Sequence, residues 1–373
     1  MKQPLLTLCA LLLAAPVHAD DDQGWLDRLL TRLGASKQVD LSKGIDWGVL
    51  PGPFYNPEMG AGIGVAAVGL YKPDNALPDT QLSTLTLRGF VSSVGALGIG
   101  FDNNTFFGDD GWRFYAGGSL VRLPTSYWGV GYDAAHQNAN KRDYTKEEFT
   151  LSPRILRRVA PNTYAGIGWS LQQTHAKDIE DGSAILDDPD GDSVFASGLT
   201  AHFSYDTRDF IPNPAHGQTL QMNAGFYAPG LGSDNRFQTL ETIYDYYHPL
   251  GDDVLALDLY SHLSWGDVPW TMMSQMGNGN RMRGYFLGQY RDKNMVAAQL
   301  EYRHHLVGRH GIVFWGGFGT IADRVGDLGD DAPWLPTAGV GYRFEFKPRV
   351  NIRLDLGMGR DTTGLYFQLN EAF

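Results

Sequence analysis

The chain reads as all-β, a transmembrane antiparallel barrel of the kind that spans a bacterial outer membrane. Three observations predict this. Apolar and polar residues alternate with period two through one segment after another, short turns interleave with long polar loops, and no apolar run after residue 20 approaches the ~20 residues a membrane helix needs.

The alternation is plainest toward the C-terminus. Val296, Ala298, Leu300 and Tyr302 point one way while Gln299, Glu301 and Arg303 point the other, and Val350, Ile352, Leu354 and Leu356 oppose Asn351, Arg353 and Asp355. A water-soluble sandwich gives the same pattern with its polar face outward, so the connections decide. Pro161-Asn162, Gly251 to Asp253, Gly308 to Gly311 and Lys347 to Arg349 are short, whereas 125–143, 179–194, 268–294 and 324–333 are long and polar. Short turns at one end and long loops at the other belong to a barrel, whose apolar face meets lipid and whose polar face lines the lumen.

Taken in order, the chain opens with Lys2, an apolar run from Leu5 to Ala15, and Val17-His18-Ala19, a secretory signal peptide over 1–19. Cys9, the only cysteine, lies inside it, so disulfides, thiolate metal sites and cysteine nucleophiles are excluded from the exported chain. Residues 20–44 form a short periplasmic segment in which Trp25, Leu26, Leu29, Leu30 and Leu33 share one face of a helix. The barrel occupies 45–373. Strands are predicted at 45–55, 59–72, 80–93, 96–108, 111–124, 144–159, 162–178, 195–209, 217–229, 235–250, 253–267, 295–308, 311–323, 334–347, 350–361 and 363–373. That makes 16, with 14 the next even count.

Composition narrows the partners. A formal charge of -12 excludes nucleic acid, and an outer-membrane location implies contact with lipid and lipopolysaccharide. Nothing in the sequence asks for a cofactor or a metal. The run Asp187 to Asp192 lacks the downstream glutamate of a calcium loop, and His304 and His305 point to opposite faces of their strand. His202 and Ser204 share a face, as a base and nucleophile would, but that face is lumenal and no nucleophile-elbow motif accompanies them.

Three motifs carry a resemblance. The chain ends "GLYFQLNEAF", where Leu365, Phe367, Leu369 and Phe373 resemble an outer-membrane sorting strand, with Glu371 at a position that usually takes an apolar residue. "RMRGY" lies in a glycine-rich loop, 277–294, five strands from the end. "YDTRDFIPNPAHG", 205–217, combines Asp206, Arg208 and Asp209 with a turn closing at Gly217. Together these resemble the barrel-assembly and two-partner-secretion superfamily, the surface-antigen family that includes BamA and TamA.

The resemblance implies that the loop folds into the barrel, that Met282, Arg283, Gly284 and Tyr285 form its tip, and that Arg283 meets Glu301 on the following strand. A second acidic position is occupied by Gly317, so Asp323 or Asp355 must substitute or the loop sits in a looser, wetter site. It implies insertion or translocation of an unfolded or secreted protein substrate, without catalysis. Residues 20–44 are too few for the capture domains such proteins carry ahead of the barrel. A passive porin-like or lipid-organising barrel is the alternative, and a lipid-modifying hydrolase the third.

Overall fold

The computed structural model describes residues 41–373 apart from 43, 57, 58, 78, 79, 331 and 348, and apart from the side chains of 55, 56 and 347. The signal peptide and the Trp25–Leu33 helix face lie outside the described residues.

The wall is one sheet of 16 antiparallel strands. It begins with β1 (Ile45–Asn56), β2 (Gly60–Tyr71), β3 (Ser83–Ser92), β4 (Leu97–Phe107), β5 (Trp112–Tyr127), β6 (Arg142–Ala160), β7 (Thr163–Lys177) and β8 (Ser193–Asp206). It continues with β9 (Gly217–Tyr227), β10 (Phe237–Leu250) and β11 (Asp253–Gly266). A two-residue ribbon, β12 (Ser274–Gln275) with β13 (Arg291–Asp292), stands apart from the wall in the long loop that follows. Then come β14 (Asn294–Val307), β15 (His310–Ala322), β16 (Leu335–Lys347), β17 (Val350–Gly359) and β18 (Thr362–Leu369). A short helix, α1 (Tyr132–His136), lies in the loop between β5 and β6.

The faces are inverted relative to a soluble protein. Ile167, Leu300 and Leu356 are 61%, 47% and 45% exposed, while Glu301, Arg353 and Asp355 are fully buried. Lipid, not water, is the solvent for the outer face, and the lumen is packed with charge. Strand lengths are uneven: β6 has 19 residues, β3 has 10 and β18 has 8. Tight periplasmic turns use left-handed residues such as Gly251 (φ 68°) and Gly308 (φ 61°), which a two-residue hairpin of matching twist requires.

The seam departs from a simple closed wall. Among the described residues no ladder joins β1 to β18, and the two overlap. Phe367, on the outer face of β18, lies against the lumenal face of β1 at Gly52, where a Cβ would come within 2.9 Å of its ring. Leu50, also lumenal on β1, packs on Phe346 alongside the outward-facing Phe344 and Ile352. So β1 laps over the outside of β16–β18, and apolar contact replaces backbone pairing there.

The C-terminal segment corrects the sequence reading. Leu365, Phe367 and Leu369 do alternate along β18, but Phe373 is not part of that strand. Asn370 adopts φ 64° and turns the last residues into the lumen. There Arg303 donates to the C-terminal oxygen of Phe373 (2.8 Å), with its guanidinium 5.4 Å from the centre of the Phe373 ring.

Candidate functional site

The loop between β11 and β14 runs into the barrel. Glycine makes this possible: at Gly284 φ is +106°, and a Cβ would sit 2.6 Å from the backbone of Met358 and Gly359, so only glycine lets the tip lie flat on β17. Met282, Arg283 and Tyr285 are all fully buried. Tyr285 donates to the Pro336 carbonyl (2.7 Å) and accepts from Arg360 N–H (3.0 Å), Gly284 N–H donates to the Tyr366 hydroxyl (2.9 Å), and Met282 N–H donates to Gln299 Oε1 (3.1 Å). Arg281 forms a fork with Asp258 on β11, the closest contact being 2.7 Å. The loop thus touches the wall from β11 to β18.

Arg283 is the centre of this contact. One guanidinium nitrogen pairs with Glu301 and another with Asp355 (2.7 Å), and the plane lies 3.7 Å from the centre of the Trp315 ring. Asp355 is therefore the carboxylate that answers the glycine at 317, whereas Asp323 pairs with Lys293 (2.7 Å) near the outer rim. The site is dry, not wet: the side chains of Arg283, Glu301 and Asp355 are all 0% exposed.

The pair extends into a network that the sequence did not reveal. Glu301 also accepts from Arg303 (3.1 Å), and Asp355 from Arg343 (2.5 Å) and Arg353 (3.2 Å). Arg343 in turn donates to Glu371 (2.7 Å), which also accepts from Asn351 (2.6 Å). Burial favours the neutral form of Glu371, but Arg343 and Arg303 outweigh it and hold the carboxyl below its usual range. Glu371, out of place in a sorting strand, ties the C-terminal tail to Arg343 and Arg303, the arginines that share Asp355 and Glu301 with the loop's Arg283. The strict alternation that puts Arg303, Arg343 and Arg353 in the lumen was the available signal.

Asp206, Arg208, Asp209 and Gly217 form a second assembly at the periplasmic rim. Arg208 grips Asp206 with two nitrogens, both at 2.9 Å. Asp209 accepts from Ala215 N–H (3.0 Å) and from Arg349 (2.6 Å). At Gly217 φ is +101° and a Cβ would meet the Thr207 carbonyl at 2.3 Å. The loop they close reaches across the mouth, where the carbonyls of Asn213 and Pro212 accept from Arg349 (2.6 Å) and from Glu371 N–H (3.3 Å).

His202 is engaged at both nitrogens, by Thr200 (2.8 Å) and by Asn223 (2.7 Å), and neither partner is Ser204. Among the described residues no group of three or more His, Cys, Asp or Glu is placed to hold a metal ion. On the outer rim, α1 and its loop cap the inward loop: Gln289 donates to the Ala135 carbonyl (3.1 Å) and Gly131 N–H to the Arg291 carbonyl (2.8 Å).

A 16-stranded outer-membrane barrel with an arginine-tipped loop anchored inside it is the class that this geometry defines. Residues 95–373 match the Omp85 superfamily domain, and the chain belongs to that superfamily. Its fold is similar to BamA from Haemophilus ducreyi lacking POTRA domains 1-3, with 13% identity and a TM-score of 0.55 over 92% of this chain and 76% of that one. It is also similar to CdiB from Escherichia coli (12%, TM-score 0.56, 87% of this chain and 62% of that one) and CdiB from Acinetobacter baumannii (12%, 0.53, 87% and 59%). The chain thus spans less than two thirds of either CdiB. No curated protein sequence matches it.

Proposed function

We propose that this barrel inserts or translocates polypeptides at the outer membrane, acting on an unfolded or secreted protein substrate without catalytic chemistry. The observation that carries this is the combination of a loop fixed inside the lumen with a wall left unladdered between β1 and β18. A passive pore needs neither. The anchored loop fills the lumen beside β11–β18 and the overlapping seam leaves a place where the wall can part without breaking an existing ladder. We place residues 1–19 as the signal peptide, 20–44 as a periplasmic segment and 45–373 as the barrel. Met282 to Tyr285 with Glu301 act as the loop anchor, Asp206, Arg208, Asp209 and Gly217 as a periplasmic-rim tie, and Leu365, Phe367 and Leu369 as the outward face read during assembly, in contact with outer-membrane lipid and lipopolysaccharide.

The test is insertion of a urea-unfolded eight-stranded barrel protein into vesicles that contain this barrel. Acceleration over empty vesicles that is lost in a variant with β1 and β18 joined by a disulfide supports the proposal. Steady ion conductance in planar bilayers with no acceleration, whether or not residues 20–44 are present, would assign the chain a passive role.

A further inference from the structure

We propose that the outer face of β2–β7 carries a binding site for lipopolysaccharide, away from the seam and independent of the insertion reading above. The extracellular half of that face holds an open groove of about 820 Å³. Two rows of outward side chains, lying across the strands, form its walls. One row runs Val65, Gly89, Ile99, Leu120 and Phe149 in cross-strand register. The other, one step nearer the extracellular end, runs Val91, Leu97, Arg122, Glu147 and His175. At Gly89 the outer face lacks a side chain, and a Cβ there would meet nothing closer than 3.7 Å beyond its chain neighbours, so the first row is notched.

The groove changes character along its length. The β3–β4 hairpin turns between Ser92 and Leu97, at the same end as the long loops, and residues 89–101 contain no Asp, Glu, Lys or Arg. Beside it the wall climbs: Leu97 pairs with Arg122, and β5 continues to Tyr127. Apolar wall thus gives way to charge within a single step, from Leu97 to Arg122. The first end belongs in hydrocarbon and the second among lipid head groups, where an arginine lays its stem on apolar wall and keeps its guanidinium in the polar layer. Among the described residues Arg122 donates no hydrogen bond, and it stands 3.6 Å from both Glu147 and Asp178, in reach of their charge but too far to be held. Lys177, two residues beyond His175 on the same face, is exposed.

Lipid tails are as apolar as leucine, so an apolar wall by itself prefers no lipid over another; preference comes from a shape that a chain fills and from polar groups fixed beside it. The occupant therefore brings acyl chain to one end of the groove and phosphate to the other. Arginine and lysine take phosphate by charge-assisted hydrogen bonds, and the interleaved carboxylates of Glu147 and Asp178 suit a head group whose phosphates are bridged by divalent cations. Lipopolysaccharide, with several acyl chains on a bisphosphorylated disaccharide and a place in the extracellular leaflet, meets each requirement. A phospholipid with a single phosphate leaves the carboxylates without a use.

The test uses the barrel refolded from residues 20–373 in phosphatidylcholine nanodiscs that contain bisphosphoryl lipid A or, separately, phosphatidylglycerol, with native mass spectrometry of the released barrel. Lipid A should stay bound to the parent where phosphatidylglycerol does not. Arg122→Gln, which removes a charge-assisted bond, should lower lipid A occupancy about 10-fold or more, and Gly89→Phe, which fills the notch from the lipid side, should lower it by a similar factor. Ile167→Phe, on the outer face of β7 nearer the periplasm, should leave it unchanged. Arg122→Gln does not alter the packing of the wall, so it reads the site even where the groove-filling variant loses the parent's heat-modified mobility. Equal retention of the two lipids, retention of neither, occupancy unaffected by Arg122→Gln, or an equal loss on Ile167→Phe overturns the proposal.

Discussion

Removing Asp355 should cost more than removing Arg283, although the arginine sits at the centre of the anchor. The buried network holds four arginines, Arg283, Arg303, Arg343 and Arg353, against three side-chain carboxylates, Glu301, Asp355 and Glu371, with the C-terminal oxygen of Phe373 as a further acceptor for Arg303. Carboxylate oxygen is already scarce: Arg283 Nε, Arg343 Nη2 and Arg353 Nε are buried with no protein acceptor. Asp355→Ala takes an acceptor from three guanidiniums at once, Arg283, Arg343 and Arg353, so the usual cost of breaking a buried pair, about 3–5 kcal/mol, should apply in full. Arg283→Ala forfeits two charge-assisted bonds and the Trp315 stack, but it leaves every carboxylate paired, Glu301 with Arg303 and Asp355 with Arg343 and Arg353. It should cost about 1–2 kcal/mol less than Asp355→Ala, and the double variant should fall short of the sum of the singles by a similar amount. Urea unfolding in detergent micelles, followed by tryptophan fluorescence with Trp315 beneath the guanidinium, measures all three. Equal costs for the two single variants, or strict additivity, would refute the reasoning that the network is limited by its carboxylates.

Gly284→Ala should unseat the loop, because its Cβ would meet backbone at 2.6 Å, and limited proteolysis from the extracellular side should then cut within 277–290, while burial of Met282, Arg283 and Tyr285 should keep the parent uncut there. Asn370→Val should cost about 1–2 kcal/mol for a left-handed β-branched residue, while Asn370→Gly should be close to neutral; equal heat-modified gel mobility and equal urea midpoints for both would remove the turn from the account. At Asp209, burial raises the carboxyl, but the Ala215 and His216 N–H groups and Arg349 together bring it below its ordinary value. A depressed carboxylate contributes stability above its unfolded pKa, about 3.9, and loses it as pH falls through the folded value. The stability gap between the parent and Asp209→Asn should therefore be flat from about pH 5 to 8 and shrink below about pH 4, and a gap that grows on acidification would reverse that sign.

Much of the barrel was legible because membrane strands obey one simple rule. Period-two alternation located Glu301 and Arg303 on the lumenal face and Leu300 and Tyr302 on the lipid face, and the alternation of short and long connections gave the strand order. The loop could be placed by resemblance, and its glycine had a physical reason visible in the letters. What the letters do not show is which lumenal charges meet across the barrel. Arg343 and Glu371 are 28 residues apart, and Arg283 and Asp355 are 72 apart; their meeting depends on barrel closure and on a turn at Asn370, which local pattern does not encode. The lap at the seam was equally hidden, since Leu50 and Gly52 read as an ordinary strand and only their packing on Phe346 and Phe367 reveals the overlap.

The unequal strand lengths have a consequence for the membrane itself. A strand rises about 3.3 Å per residue, and at a tilt of about 40° the 8 residues of β18 cover only about 20 Å along the bilayer normal, against the roughly 25 Å of a typical apolar band. On the side of β6, with 19 residues, the wall is taller than the bilayer. Where the 12-residue β1 does not cover β18, lipid packed beside the seam must therefore compress and shorten its chains, at a cost of fractions of a kcal/mol for each ångström of mismatch. The bilayer is stored like a bent spring along one side of the barrel, and acyl-chain length becomes a control on how readily anything crosses there.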